Sequence, residues 1–357
     1  MLRRTQPQRV PGVPLGAPPP NTEQDLEQRL AEPTPGVLEA LRAVPGDIIV
    51  LGAAGKMGPS LARMARRALD ALGRSDRVIA ASRFSSPESE HRLRASNIET
   101  IRCDLTDREA VGRLPDAPNV LFLAGQKFGT SGAPAETWAM NTIVPHHAAE
   151  RYASSRIVAF STGNVYPLVP VGSGGAREED APAPVGEYAA SCLGRERVFE
   201  FHAARRGTRV AIMRLNYAVD LRYGVLVDVA RRVWRGEPVD VTMGWVNVIW
   251  QGDANARALQ CLAHAASPPF VVNVTGRDTL SIRAAAQRFG EMFGRPAAIT
   301  GEEAPDALLS DATRSMELFG PPTVSTGQLI AWVADWIQRG GTTLDRPTHY
   351  EVRTGQF

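Results

Sequence analysis

The chain has 357 residues, with 40 Lys and Arg against 38 Asp and Glu and a formal net charge of +2. That near balance excludes the one-sided basic surface of a nucleic-acid binder, while a hydrophobic content of 43% supports a large core in one big α/β domain or two joined lobes. No run approaches the roughly 18 apolar residues of a membrane span, and the scattered Cys103, Cys192 and Cys261 form no C-x-x-C pair; a membrane partner, a disulfide framework and a metal site are not expected, and the cytoplasm is the expected compartment.

Residues 1–20 hold a dense Pro/Gly run and read as a disordered or extended arm, followed by a helical lead-in over 21–45. At 46–58 an apolar strand runs into a glycine turn that opens a helix. Gly52, Gly55 and Gly58 give a G-x-x-G-x-x-G spacing, in which missing side chains permit a tight turn, close approach of a pyrophosphate and close helix-strand packing. Gly52, Ala54, Gly55, Lys56, Met57 and Gly58 are therefore expected to contact a dinucleotide. Leu61, Met64, Ala65, Ala68, Leu69 and Leu72 then recur at helical spacing up to Gly73.

Further short apolar or β-branched runs are expected as strands at 78–81, 98–103, 120–124, 157–161 and 210–215, separated by amphipathic segments. This alternation predicts an α/β protein: a Rossmann-type doubly wound parallel sheet over 46–215, to which 251–275 returns. A smaller, mostly helical C-terminal substrate lobe is expected from 216–250 and 276–340, with helical patterns at 226–235, 282–293, 307–319 and 328–338. The stretch 170–186, rich in Gly, Pro and acids, reads as a flexible flap, and 341–357 as a tail packed on the surface. Lys56 and Lys127 are the only lysines; one lies in the glycine turn and the other follows the fourth strand at the ligand-binding edge of the sheet.

From about Asp47 to Ile337 the chain resembles the extended short-chain dehydrogenase/reductase family, of NAD(P)-dependent epimerase/dehydratase type. Beyond the glycine turn, the resemblance rests on Cys103-Asp104-Leu105-Thr106-Asp107, Leu123-Ala124-Gly125, Asn141 in the following helix, Phe160-Ser161-Thr162-Gly163-Asn164-Val165-Tyr166, and Tyr188 opening Tyr-Ala-Ala-Ser-Cys-Leu-Gly-Arg-Glu. It implies adenine contacts from Asp104 and Leu105, cofactor contacts from Ala124 and Gly125, and a catalytic group of Thr162, Tyr188 and Asn141. In the family, Tyr is the acid/base, Ser/Thr orients the substrate oxygen, and a Lys four residues after the Tyr binds the ribose and lowers the Tyr pKa.

Here that fourth position is Cys192. A cation roughly 5 Å away at an effective dielectric near 20 contributes about 3 kcal/mol, on the order of two pKa units, toward an ionised phenol. Without it Tyr188 suits donation to a carbonyl better than oxidation of an alcohol. Lys127 could reach across and restore the charge, and a thiol role for Cys192 is the rival idea. At the end of the second strand, Ser82-Arg83 replaces the carboxylate that would hold the ribose of NAD, which favours NADP and leaves NAD open. The substrate expected is a sugar, sugar acid or related polyhydroxy carbonyl compound, and a homodimer through helices of the first lobe is open. Arg214, Arg222 and Arg257 are candidates for an anionic substrate group or structural arginines, and Trp245 and Trp250 for sugar stacking or core packing. The alternative is a dinucleotide-binding sensor or partner protein with little activity, since the lysine is missing.

Overall fold

The computed structural model describes residues 17–127 and 132–356. Seven strands form one sheet: Ile48–Leu51, Val78–Ser82, Glu99–Arg102, Asn119–Phe122, Arg156–Thr162, Arg209–Leu215 and Phe270–Val274. Numbered β1 to β7 along the chain, they lie in the order β7-β6-β5-β4-β1-β2-β3 with every pairing parallel. The order reverses between β1 and β4, and the resulting crevice at their carboxyl ends is where such sheets bind ligands.

The apolar strands are covered on both faces, as parallel sheets must be. Ile48, Val50 and Leu121 face a core shared with the helices Pro35–Ala43, Gly58–Ala71 and Gln251–Cys261. Ile49, Leu51, Val120 and Phe122 face the opposite core, with Val144, Ala148 and Phe199 from the helices Val144–Arg151 and Gly186–Arg206. A third core builds the second lobe around the helices Val225–Arg235, Ile282–Phe293 and Thr326–Gln338. Trp250 belongs to it, edge-on to Trp332 at 5.5 Å, so this tryptophan is core rather than a sugar platform.

Several loop and tail expectations change. The segment 170–186 is docked, not a flap: Val169–Pro170 pairs with Asp306–Ala307, the Ala176 N–H donates to Leu309 O, and the Asn273 N–H donates to the Glu178 carboxylate. For the same reason the helix expected over 307–319 is confined to Thr313–Phe319, because Ala307 and Leu309 are used for packing against this segment. Of the amino-terminal arm, residues 1–16 lie outside the described residues. Ala17 and Pro20 are held by their carbonyls, which accept from Trp332 Nε1 and Arg339 Nη2.

The tail crosses the molecule as a strap. The Leu344 N–H donates to Arg222 O, Thr348 is fixed to the Asp228 carboxylate at 2.6 Å and 2.8 Å, the Tyr350 hydroxyl donates to Asp240 O, and Arg353 pairs with Asp306. Buried Thr348 and Tyr350 explain why no surface period is visible there. Among the described residues no helix is long and apolar enough to cross a membrane.

Two glycines set the geometry at the crevice. Gly52 has φ +84, and a Cβ there would lie 2.7 Å from the Ala124 N atom; a Cβ on Gly58 would lie 2.3 Å from Ala53 O. Both neighbours are backbone and cannot step aside. Gly58→Ala is expected to destabilise the protein by about 1–3 kcal/mol, the usual range for overpacking, read as a lowered midpoint in urea denaturation with an unchanged m-value.

Candidate active site

The glycine turn leaves Gly58–Ala71 without a side-chain cap at Met57, so its first-turn N–H groups remain available to an anion. A Cβ on Gly55 would meet only Gly52 O, at 3.3 Å. This is a cradle without side chains, of the kind a diphosphate requires, and the residues present fit a dinucleotide at this turn.

The turn forms one wall of a cleft of about 280 Å³ that also receives Lys127, Thr162, Asn164, Tyr188, Tyr223 and Thr348. The cleft lies between the carboxyl edge of the sheet and the second lobe. Lys56 spans it, donating to Ala218 O at 3.1 Å and stacking over the Tyr223 ring at 3.9 Å. Lys127 donates to Thr348 O at 3.3 Å, with its ammonium 6.0 Å from the centre of the Tyr188 ring. The two lysines, far apart in sequence, share one space, and the Lys127 charge disfavours that of Lys56. Burial, with the Lys127 charge in support, lowers Lys56 from 10.5 to about 7, against the attraction of Asp220; burial also lowers Lys127 to about 8, against the opposing effects of Cys192 and Asp228.

Tyr188, Thr162 and Cys192 meet through side-chain hydrogen bonds on the phenol hydroxyl. Thr162 is oriented by Asn164, whose Oδ1 accepts from the Thr162 hydroxyl at 2.9 Å. Burial pushes the Tyr188 phenol well above its ordinary value, and the neighbouring Cys192 adds to this, while the charge of Arg195 and the Thr162 hydrogen bond oppose it. Burial raises the Cys192 thiol as well. Cys192 is fully buried within the helix packing, a setting that disfavours thiolate chemistry.

Arg195 was not anticipated. Tyr188, Cys192 and Arg195 fall at i, i+4 and i+7 of one helix, a shared face that the sequence displays. Its buried guanidinium donates to Phe160 O at 2.7 Å and to Asn141 Oδ1. A Cβ on Gly125 would collide with Arg195 Nη2, so that glycine makes room for the arginine.

Several site expectations change in this structure. Asn141 does not face the cleft: it accepts from the Gln126 N–H and donates to Gln126 O and Ser191 Oγ, clamping the segment that carries Lys127. Asp104 closes its own turn by accepting from Thr106 N and Oγ1 at 3.0 Å and 2.8 Å. Ser82, Arg83 and Leu105 stand at the carboxyl ends of β2 and β3; Arg83 is exposed, and Leu105 and Ala124 are buried.

Arg214 is structural. It pairs with Glu196 at 2.8 Å, both buried, and donates to the Tyr166 hydroxyl at 2.6 Å. Arg257 is likewise consumed by Thr275 O, Ser315 Oγ and Gly320 O.

The chain matches the model of the NAD dependent epimerase/dehydratase family over residues 48–235, more than half its length. No curated protein matches it significantly. Among solved structures, it is similar to UDP-glucose 4-epimerase from Thermotoga maritima, with UDP-glucose, at 19% identity, TM-score 0.66, covering 82% of this chain and 99% of that one. UDP-glucuronic acid 4-epimerase from Bacillus cereus, in complex with UDP-glucuronic acid and NAD, matches at 19% identity and TM-score 0.66 over 82% and 99%. An epimerase from Methanothermobacter thermautotrophicus matches at 17% identity and TM-score 0.69 over 86% and 96%. At these identities the likeness is one of fold.

The lysine pair makes a direct test available. In protein labelled only at lysine, NMR should show two side-chain amines titrating with midpoints near about 7 and about 8, against 10.5 for an ordinary lysine. Because the unfolded chain holds these protons where the folded one does not, stability should rise as pH climbs from about 7 toward 10.5. Two midpoints near 10.5 would contradict the enclosed pair.

Proposed function

The chain belongs to the NAD dependent epimerase/dehydratase family, and from that premise we propose an NAD(P)-dependent enzyme acting on a sugar, sugar acid or related polyhydroxy carbonyl compound. The observation that carries the reading is the convergence of the bare glycine turn, Thr162 and Tyr188 on one cleft. Similar folds have been solved with UDP-glucose, and with UDP-glucuronic acid and NAD, which makes a nucleotide-linked sugar the first substrate class to test.

Gly52, Ala54, Gly55, Lys56, Met57 and Gly58 would hold the dinucleotide's diphosphate, Ser82, Arg83, Asp104 and Leu105 its adenosine end, and Ala124 and Gly125 its middle. The nicotinamide, when bound, supplies the hydride acceptor or donor. Arg83 beside a serine, with no carboxylate at the end of β2, favours NADP over NAD.

Tyr188 does the proton work. With its phenol well above the usual range it stays protonated at neutral pH and donates to a substrate oxygen as negative charge develops there, while Thr162 orients that oxygen. Lys127 supplies at the cleft the positive charge that the helix lacks at position 192. Its amine, held at about 8 by burial, exchanges protons near neutral pH, the range in which general acid/base catalysis works best. Cys192 packs behind the phenol, and Asn141 acts through the Gln126–Lys127 segment as a positioning residue.

The first experiment is to denature the purified protein and identify the released dinucleotide and any small molecule by mass spectrometry, followed by calorimetric titration with NAD+, NADP+ and their reduced forms. Tyr188→Phe should retain dinucleotide affinity and lose about 100- to 10,000-fold in turnover, the range of a general acid/base group. Lys127→Met should lower turnover and remove the pH dependence near 8. An unchanged Lys127→Met profile sinks the compensating role, and dinucleotide binding without turnover on a panel of carbonyl and nucleotide-sugar substrates would favour the sensor reading.

The same reading includes a homodimer. Trp138 and Ile143, on the run 134–151, and Phe201, on Gly186–Arg206, are exposed at 38%, 49% and 53% on helices that pack together, an apolar group worth covering. Light scattering should give a dimer for the natural chain and a monomer for Ile143→Glu combined with Phe201→Glu.

A further inference from the structure

A second recess, of about 470 Å³, lies on the far side of the Lys56 bridge and shares Gly55, Lys56 and Tyr223 with the catalytic cleft. Five bases line it: Lys56, Arg63, Arg92, Arg222 and Arg346; Glu27 and Asp220 are its acids. These side chains come from the helix Glu23–Leu30, the glycine turn and its helix, the helix Pro87–Arg94, the 220–223 loop and the strap. Solvated charge along one helix face does not produce such convergence from distant segments.

The charges are arranged in two ranks. On the inner wall, Glu27 is shared by Arg63 and Arg222, and Asp220 binds Arg222 at 2.8 Å, which fixes both guanidinium groups. Arg92 and Arg346 form the exposed rim. The carboxylate nearest Arg92 is that of Glu88 on its own helix, at 3.7 Å and largely solvated, and among the described residues Arg346 has no ion pair. Lys56 closes the inner end on a carbonyl and an aromatic ring, with no carboxylate in salt-bridge contact. The two acids of the recess are thus taken up by Arg63 and Arg222, which leaves the rim guanidinium groups of Arg92 and Arg346 facing it, with the Lys56 amine, lowered to about 7, at the inner end. Crowding is felt at Arg63, which burial, together with the charges of Arg222, Arg92 and Arg67, lowers to about 10.

The geometry points to a phosphate-binding site in this recess, distinct from the Tyr188 chamber, with Arg222 and Arg63 as its fixed floor and Arg92, Arg346 and Lys56 as the groups that close on the anion. Guanidinium forks match phosphate oxygens two at a time, and an ammonium adds a point charge. The site would take a phosphate dianion. One source is the 2′-phosphate of NADP lying along the shared glycine turn; the other is a separate phosphorylated ligand. The inference goes beyond the enzyme reading, because a separate ligand would bind even if no dinucleotide did.

The test uses the whole chain at low ionic strength, titrated by calorimetry with inorganic pyrophosphate, NAD+ and NADP+, in the natural form and as Arg92→Gln/Arg346→Gln. Both positions are exposed, so the variant should keep the natural melting temperature without ligand; Arg346→Gln alone serves if it does not. The natural protein should bind pyrophosphate or NADP+, and the double variant should bind it at least about tenfold more weakly, as expected for lost charge-assisted hydrogen bonds. Selective loss for NADP+ with NAD+ unchanged assigns the phosphate to the cofactor. Loss for pyrophosphate with both dinucleotides unchanged assigns it to a separate ligand. Equal affinities of natural and variant protein for all three, or binding of neither pyrophosphate nor NADP+ by the natural protein, overturns the site. Binding of pyrophosphate alone leaves the recess standing and removes the dinucleotide reading.

Discussion

The close approach of main chain to main chain at the first crossover governs the rest of this structure. Where β1 ends, Gly52 lies against the backbone of Ala124 and Gly58 against that of Ala53, so the helix that follows starts directly over the sheet with its donors uncapped. A side chain at either point would move that helix outward and open the β1/β4 crevice. The cleft, the bridging lysine and the placement of the second lobe all take their reference from this contact.

A buried polar network holds the other side of the crevice. The Arg214–Glu196 pair joins β6 to the Tyr188 helix; Ser161 donates to the same carboxylate, and Tyr166 links Arg214 to Asn273 on β7. An isolated buried ion pair is costly to desolvate, and here the added hydrogen bonds satisfy both ions. The network ends on Ser161, the residue before Thr162. This saturated network contrasts with the recess beyond Lys56, where Arg346 has no ion pair among the described residues.

Much of the fold was legible because buried parallel strands have to be continuous apolar runs; Ile48–Leu51 and Asn119–Phe122 are seen as such in the sequence and in the structure. The Ala307–Leu309 stretch misled because its apolar residues carry the same pattern whether they form a helix or zip against Val169 and Ala176. At the site, glycine spacing and the Thr162 to Tyr188 order can be read locally, since they depend on residue types near in sequence. The clamping role of Asn141 and the burial of Arg195 depend on partners 15 and 54 residues away, and no local pattern encodes them. Arg195 still left a trace in its i+7 spacing from Tyr188.

The strap has a bearing on how the molecule is made. Thr348 supplies the carbonyl that receives Lys127, and Gly355 presses on the backbone at Val185 and Gly186, where the Tyr188 helix begins. Synthesis proceeds from the amino end, so all seven strands leave the ribosome before these segments do. The nascent sheet can therefore assemble with its crevice still uncovered, before the strap arrives to roof it over.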